Sequence, residues 1–578
     1  MLVTDVLIIG SEGAGARAAI AAHDAGADVL VVTKGRFGKS GATITGLADI
    51  DVDSRSAKDL LNLPGNPDDN PEIFFDDILK EGKYLNNQKI IEFHVAEAPH
   101  RVKELMDWGM KVKALIHTPG HRYPRGVYSS GAEIMKTLSR QVRARKIKVL
   151  EDTMVVDLLT VDGTVNGALG LNLRNGEFVP ISARATMIAT GGGMMAYPIQ
   201  TAPEELTGDG QAIAYRAGAE LIDMEMVQFH PCDLLWPPAW RGIGFPFTIG
   251  PSAGLDVWLL NKYGQRFMSK WDPERMEKTT RDILSIAIMT EVLEGRGTPS
   301  GGVYMSLAHL PYNLVDYFLE WFSKRGSVGP NWQYQGFNFS ELMEKVKKGY
   351  AMEVGPACHF FMGGIRVNEQ CETSLPGLYA VGEVAGGTHG ANRLSGNACT
   401  QIFVQGARGG AVAARYAASQ NRSELDQDLI GRIERRNLRY LDNPGDLRPV
   451  KARKELQQIA WEKAGIIREG SSLEGVLHWL KDFKANRLPH LATGARERQY
   501  NRAWMEAMQL ESLLIVLEAI TRSALLREES RGAHYRKDFK EMSPDWFRNI
   551  VVKRGDREMN VTTEPIVTTR WKPEDVHP

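Results

Sequence analysis

The chain has 578 residues, a length that predicts about three to four domains with room for substantial cores. Its 70 Lys and Arg balance 71 Asp and Glu to a formal net charge of -1, which argues against nucleic acid as a primary partner. Four cysteines, Cys232, Cys358, Cys371 and Cys399, stand far apart with no C-x-x-C; no metal or cluster held by this chain is expected, and a reducing compartment is.

The N-terminus shows no basic, apolar-cored leader and no apolar run approaches the ~18–20 residues of a membrane helix. The expectation is a cytoplasmic protein, attached to a membrane only through partners. Residues 1–35 read as strand, helix, strand: VLIIG, then ARAAIAAHDAGA, then DVLVVTKG. Between the first two lies the turn Gly10, Ser11, Glu12, Gly13, Ala14, Gly15, the layout of a dinucleotide site whose helix N-terminus receives a diphosphate. Glu12 stands where G-x-G-x-x-G has its second glycine. Its side chain is expected to point away from the diphosphate, since two negative charges would repel. The second strand ends at Thr33 and Lys34, where many dinucleotide folds place an acidic residue on the ribose.

A second apolar strand, RATMIAT, runs into Ala189, Thr190 and Gly191, and a third, GLYAVGEVAGG, opens another glycine-rich loop before a helix. Three such strand ends predict one α/β nucleotide domain assembled discontinuously from residues 1–239 and 353–424. The intervening 240–352 segment, rich in aromatics and prolines, reads as an inserted domain. From 425 to 545 the pattern turns to charged helices such as RKELQQIAWEKAGIIR. The 546–578 tail shows little periodicity and is expected to wrap over a neighbour.

Seven stretches, in order, resemble the flavoprotein subunits of succinate dehydrogenase and fumarate reductase, with L-aspartate oxidase as a cousin. They are VLIIGSEGAGARAAIAA, TGDGQAIAYRAGAELIDMEMVQFHP, LLNKYGQRFM, RDILSIAI, HFFMGGI, LPGLYAVGEVAGGTHGANRLSGN and ESRGAHYRKDF. The resemblance implies an α/β fold: a discontinuous Rossmann-like FAD-binding domain, an inserted α+β capping domain and a C-terminal helical domain. It implies FAD as cofactor, with Asp209 and Glu383 on its hydroxyls and the backbone of Ser395, Gly396, Asn397 and Ala398 at the flavin edge where negative charge grows on reduction. Ser40, Gly41 and Ala42 fall where membrane-bound relatives carry the histidine that bonds covalently to the flavin; Gly41 takes that place, so the FAD is expected to be non-covalent, with Gly46 as a further cofactor-binding position. In the family the covalent link raises the flavin potential and assists succinate oxidation, so its loss favours reduction of substrate.

By the same resemblance His230, His359 and Arg393 hold substrate carboxylates, and Arg281 transfers the proton while hydride passes from the flavin. A guanidinium fork with histidine donors suits a dicarboxylate. Residue type alone selects a histidine as the acid, because arginine's pKa lies above ~12. Out of context, a histidine before proline is more often a turn or core residue, and Arg281 at a helix start more often an ion-pair partner. Arg531 and His534 read as structural, or as shaping the approach to the flavin. The family's T-E-G-x-R-G-E-G stretch, source of a carboxylate-binding threonine and a proton relay, is missing; the chain reads Ile249-Gly-Pro-Ser-Ala-Gly-Leu-Asp256 there. Thr248 or Ser252 could replace the threonine and Asp256 could lie near the proton route. Trp236 and Trp240 could wall a bulkier substrate or pack a domain interface.

The leading expectation is fumarate reduction, or succinate oxidation, with electrons exchanged through an external iron–sulfur subunit. A membrane anchor or a heterodisulfide-reductase-like protein could accompany it, the 425–540 helices offering a docking surface. The alternatives are an adenylylsulfate-reductase-like enzyme acting on another acid or oxoanion, and an electron-transfer scaffold in which the four site residues tolerate substitution.

Overall fold

The computed structural model describes residues 1–46, 48–244, 256–317, 339–556 and 558–575. Val6 to Ile9 and Val29 to Val32 are unbroken apolar runs because helices and further strands cover both faces of the sheet they enter. In that seven-stranded sheet Lys148–Leu150, Val29–Val32, Leu2–Ile9 and Phe178–Ile188 lie side by side in parallel, and Leu378–Ala380 pairs in parallel with the last residues of Phe178–Ile188. Thr164–Asn172 and Thr153–Val161 extend it in antiparallel fashion. The register aligns Val32, Ile9, Ile188 and Ala380 in one row. The three glycine-rich strand ends, distant in sequence, therefore meet at the carboxyl edge of a single sheet, where open α/β sheets bind their ligands. The helices Gly13–Asp24 and Asn397–Ser419, both rich in Ala and Gly, pack closely against each other beside it.

A second, antiparallel sheet orders Val227–Leu234, Met352–Phe361, Val303–Ser306 and Trp258–Leu260. With the helix Arg281–Leu293 it encloses a separate small core around Leu259, Phe267, Ile288, Met305 and Val354. The sheet takes strands from either side of the 240–352 segment, so the cap is anchored by both.

The C-terminal helices Gln427–Asp442, Pro449–Ala464, Gly470–Asp482 and Arg502–Leu526 are built onto the main core. Trp504, Leu513, Leu517 and Ile520 share one cluster with Leu169 and Ile181 of the sheet. Arg548–Arg554 and Met559–Pro565 form a hairpin that pairs with Leu221–Ile222 of the same chain. Ile550, Val551 and Val552 are fully buried, and so short a β-branched run shows no period to read in the sequence.

Beneath this hairpin Arg527 is fully buried and donates to Glu225 Oε1 at 2.7 Å, Glu529 Oε1 at 3.0 Å and the Arg548 carbonyl at 2.9 Å. Arg531 completes the cluster with a 2.7 Å bond from its Nε to the same Glu529 oxygen, and Arg468 Nη1 donates to His534 Nδ1 at 2.8 Å. Removing one partner strands buried charge. Arg527→Leu is expected to destabilise the fold by about 3–5 kcal/mol. Urea denaturation of the variant against the parent checks this, and a change below about 1 kcal/mol would contradict the assignment.

Candidate active site

The aligned strand ends open into an elongated cavity. Gly10, Ser11, Glu12 and Ala14 wall it from the first turn, Thr33 and Lys34 from the second strand, and Ser40, Gly41 and Ala42 from the following loop. Ala189, Thr190 and Gly191 close the opposite side. Gly10 adopts φ +105, and a Cβ there would collide with the Ala189 carbonyl oxygen, so this turn requires glycine. Gly13 and Gly15 serve the turn differently from expectation. Neither lines the cavity: Gly15 packs under the Gly10 carbonyl, and Gly13 packs against Ile402 and Thr43.

Lys34 Nζ donates to Asp209 Oδ2 at 2.7 Å and Thr207 Oγ1 at 2.9 Å. The basic residue at the second strand's end thus orients a carboxylate that arrives from another segment. Asp209 begins the helix Asp209–Ala217, but Gly208 is the cap and the Asp209 side chain makes no capping bond. Its Oδ1 is buried with no partner, as is Thr190 Oγ1 on the same wall. Such unmet buried acceptors call for hydroxyl donors. Together with the open N-terminus of the helix Gly13–Asp24, whose first turn carries no acidic residue, they fit the FAD that the sequence implies.

A wider cavity of about 1070 Å³ adjoins the first, and Ala42, Thr43, Glu383 and Ile402 line both. Ser395, Gly396 and Ala398 border it at the start of the helix Asn397–Ser419, whose positive end suits an electron-rich flavin edge. Gly46 lines it too. Asn397 does not. Its Nδ2 donates inward to Asp51 Oδ2 at 3.0 Å and its Oδ1 meets His94 Nε2 at 2.8 Å. Glu383 accepts from the Phe361 N–H at 3.0 Å, and burial pushes its carboxyl up to about 7.

His230, His359, Arg281 and Arg393 all converge on this second cavity. The histidines come from neighbouring strands of the capping sheet, with ring centroids 5.4 Å apart. Arg281 is the first residue of its helix; its Nη1 donates to Gln228 Oε1 at 3.2 Å and its Nη2 to Ser395 Oγ at 3.3 Å, both neutral partners. Arg393 lies 4.7 Å from the Phe360 ring centroid, buried, its Nε without a partner. Among the described residues, no carboxylate forms an ion pair with either guanidinium. Burial, and then repulsion from Arg281, lower Arg393 to about 9. Burial also lowers Arg281, against the attraction of Asp49, Glu81 and Asp233. Burial and both arginines hold His359 well below the usual histidine range, so its ring is neutral. Its Nδ1 lies 2.8 Å from the Thr201 hydroxyl, a hydrogen bond that fixes the ring and leaves Nε2 as the other polar atom of the ring.

Sequence reasoning missed Asp233. It is fully buried, its Oδ2 lies 2.9 Å from His230 Nδ1, and its Oδ1 has no partner. Strand alternation puts residues three apart on opposite faces, but the pairing register shifts between His230 and Asp233, around Pro231. That proline inside a strand was the one available signal. Asp49, on the strand Asp49–Asp51, also lines the cavity and interacts electrostatically with both arginines; nothing in its sequence context marked it. Trp236 and Trp240 do not wall the cavity: Trp236 is half exposed, and Trp240 packs against the capping core. Asp256 is exposed and its charge acts on Arg266. Thr248, Ser252 and the rest of 249–255 lie outside the described residues.

Residues 5–399 match the FAD binding domain family, and residues 453–577 match the fumarate reductase flavoprotein C-terminal family. The chain is 38% identical over 562 residues to a Methanothermobacter marburgensis protein named as a subunit of fumarate reductase (CoM/CoB), covering 95% of this chain and 97% of the relative. It superposes on the FrdA chain of a mutant E. coli quinol fumarate reductase with a TM-score of 0.86 at 25% identity, covering 99% and 98% of the two chains. Adenylylsulfate reductase from Archaeoglobus fulgidus shares the fold, with a TM-score of 0.77 at 19% identity over 99% of this chain and 97% of that one.

Proposed function

Taking as premise that the chain belongs to the family of fumarate reductase and succinate dehydrogenase flavoprotein subunits, we propose that it reduces fumarate, or a closely related unsaturated dicarboxylate. The observation that carries this reading is the pair of buried guanidiniums facing one cavity with no ion-paired carboxylate among the described residues. Two unneutralised cations flanked by two histidines form a site for a dianion. Bound FAD would supply hydride to one alkene carbon. Arg393, His230 and His359 hold the carboxylates and polarise the alkene between them. Arg281 delivers the proton to the other carbon.

Burial supports that role for Arg281, because a desolvated guanidinium with only neutral hydrogen-bond partners is a stronger acid than one in water. Asp233 takes over from the missing relay. Its carboxyl is raised by burial, and the unpartnered Oδ1 is free to pass a proton on. With no histidine at position 41, the FAD is held without a covalent bond. Electrons come from a separate iron–sulfur subunit, consistent with a relative whose own name makes it one subunit of its enzyme. No described helix is long and apolar enough to cross a membrane. The test is oxidation of a reduced viologen dye by the purified protein on adding fumarate. Turnover supports the reading, and bound FAD without turnover on fumarate or mesaconate contradicts it.

A further inference from the structure

Two departures from the family pattern, a glutamate in the glycine fingerprint and a glycine at the flavin-linking position, meet in space. Gly41 adopts φ +90, and a Cβ built on it would overlap the Glu12 carboxyl carbon and stand 2.6 Å from Oε1. The Glu12 side chain therefore occupies the room a residue at 41 would need. It is fixed there by the Thr43 backbone N–H, which donates to Oε2 at 2.5 Å, while the Gly13 N–H donates to Thr43 Oγ1 at 3.2 Å. The carboxyl is thus turned toward Gly41 and Thr43, yet it remains on the wall of the nucleotide cavity, at the N-terminal mouth of the helix that would receive a bound diphosphate. Oε1 is buried and has no partner.

We propose that FAD binding is linked to uptake of one proton at Glu12, so that the cofactor's hold on the protein weakens as pH rises. The proposal rests on the non-covalent reading of the FAD above. A carboxylate at that helix mouth opposes the diphosphate through Coulomb repulsion, whereas the neutral acid removes the charge and turns Oε1 into a donor. The charged groups that face it are few. Lys34, the cation on the wall, is paired with Asp209 at 2.7 Å, while Glu205 and Glu383 are further carboxyls of the same cavity. Arg17 on the same helix is paired with Glu104 at 2.7 Å. Burial pushes Glu12 up to about 7, with Glu205 adding to it and the Thr43 and Ile44 amides opposing. The linkage has a definite sign: affinity is level below about pH 7, falls by up to about tenfold per unit above it, and levels again once pH passes the higher pKa that Glu12 has with FAD bound.

The experiment reads free flavin fluorescence on diluting the holoprotein across pH 6 to about 9, with calorimetry of FAD rebinding in two buffers of different ionisation enthalpy. Expected are a slope of about one proton above pH 7 in the parent, proton uptake in the calorimeter, and a clearly reduced slope in Glu12→Gln, where Glu383 still titrates. A parent slope near zero, no proton uptake, or an undiminished slope in a folded Glu12→Gln overturns the proposal; the calorimetry stands even if the variant fails to fold. Acid precipitation separates the premise from the proposal. Flavin that stays with the pellet overturns the non-covalent reading and this one with it, while released flavin with a flat pH profile overturns this one alone.

Discussion

Replacing Arg281 by glutamine is expected to slow reoxidation of the reduced flavin by fumarate about a thousandfold, in the middle of the range for losing a general acid. Glutamine keeps hydrogen-bonding capacity toward Gln228 and Ser395, whose side chains now accept the Arg281 bonds at 3.2 and 3.3 Å. What it loses is the acidic proton. Fumarate binding should weaken as well, since one of the two cations facing the dianion is lost, but kcat should fall much further, the mark of an interaction that is stronger in the transition state than in the ground state. Stopped-flow reoxidation against fumarate concentration measures both at once. A loss confined to KM would make Arg281 a binding residue, and no loss at all would favour an electron-transfer scaffold.

Arg393 should fail in the opposite way. It is buried, stacked on Phe360, and forms no ion pair with any described carboxylate, so a substrate carboxylate is its natural counter-charge. Removing one partner of a buried, hydrogen-bonded charge pair costs about 2–5 kcal/mol. Arg393→Leu should therefore raise KM about a hundredfold or more, and Arg393→Lys should recover part of it, since lysine restores the charge but not the planar fork. Equal loss in both variants would point to geometry rather than charge. A KM unchanged in Arg393→Leu would remove this residue from the binding site.

The fold was legible wherever local chemistry and global position agree. VLIIG and VLVV are apolar on both faces because parallel strands are covered on both sides, and each glycine-rich loop after a strand marked a carboxyl-edge turn. His230, His359, Arg281 and Arg393 were found from motif text, and the structure brings all four to one cavity. The rest depended on three-dimensional accidents of register and space. Asp233 joins His230 only because a strand irregularity rotates it onto the same side. The meeting of Glu12 with Gly41 crosses twenty-eight intervening residues that carry no periodic signal. The inward turn of the Asn397 side chain to Asp51, at the start of the helix whose backbone borders the cavity, likewise had no mark in the sequence. The hairpin in the 546–578 tail was not foreseen because Ile550 to Val552 is too short to display alternation.

The central claim, that this flavoprotein passes reducing equivalents to an unsaturated dicarboxylate, is tested most directly by a single turnover without any partner. The protein's flavin is reduced anaerobically by light, and its visible absorption band is followed after mixing with fumarate and, separately, with adenylyl sulfate. The account predicts that the oxidised band returns with fumarate, in step with formation of one succinate per flavin, and not with adenylyl sulfate. A flavin that remains reduced and protein-bound in the presence of fumarate would contradict it.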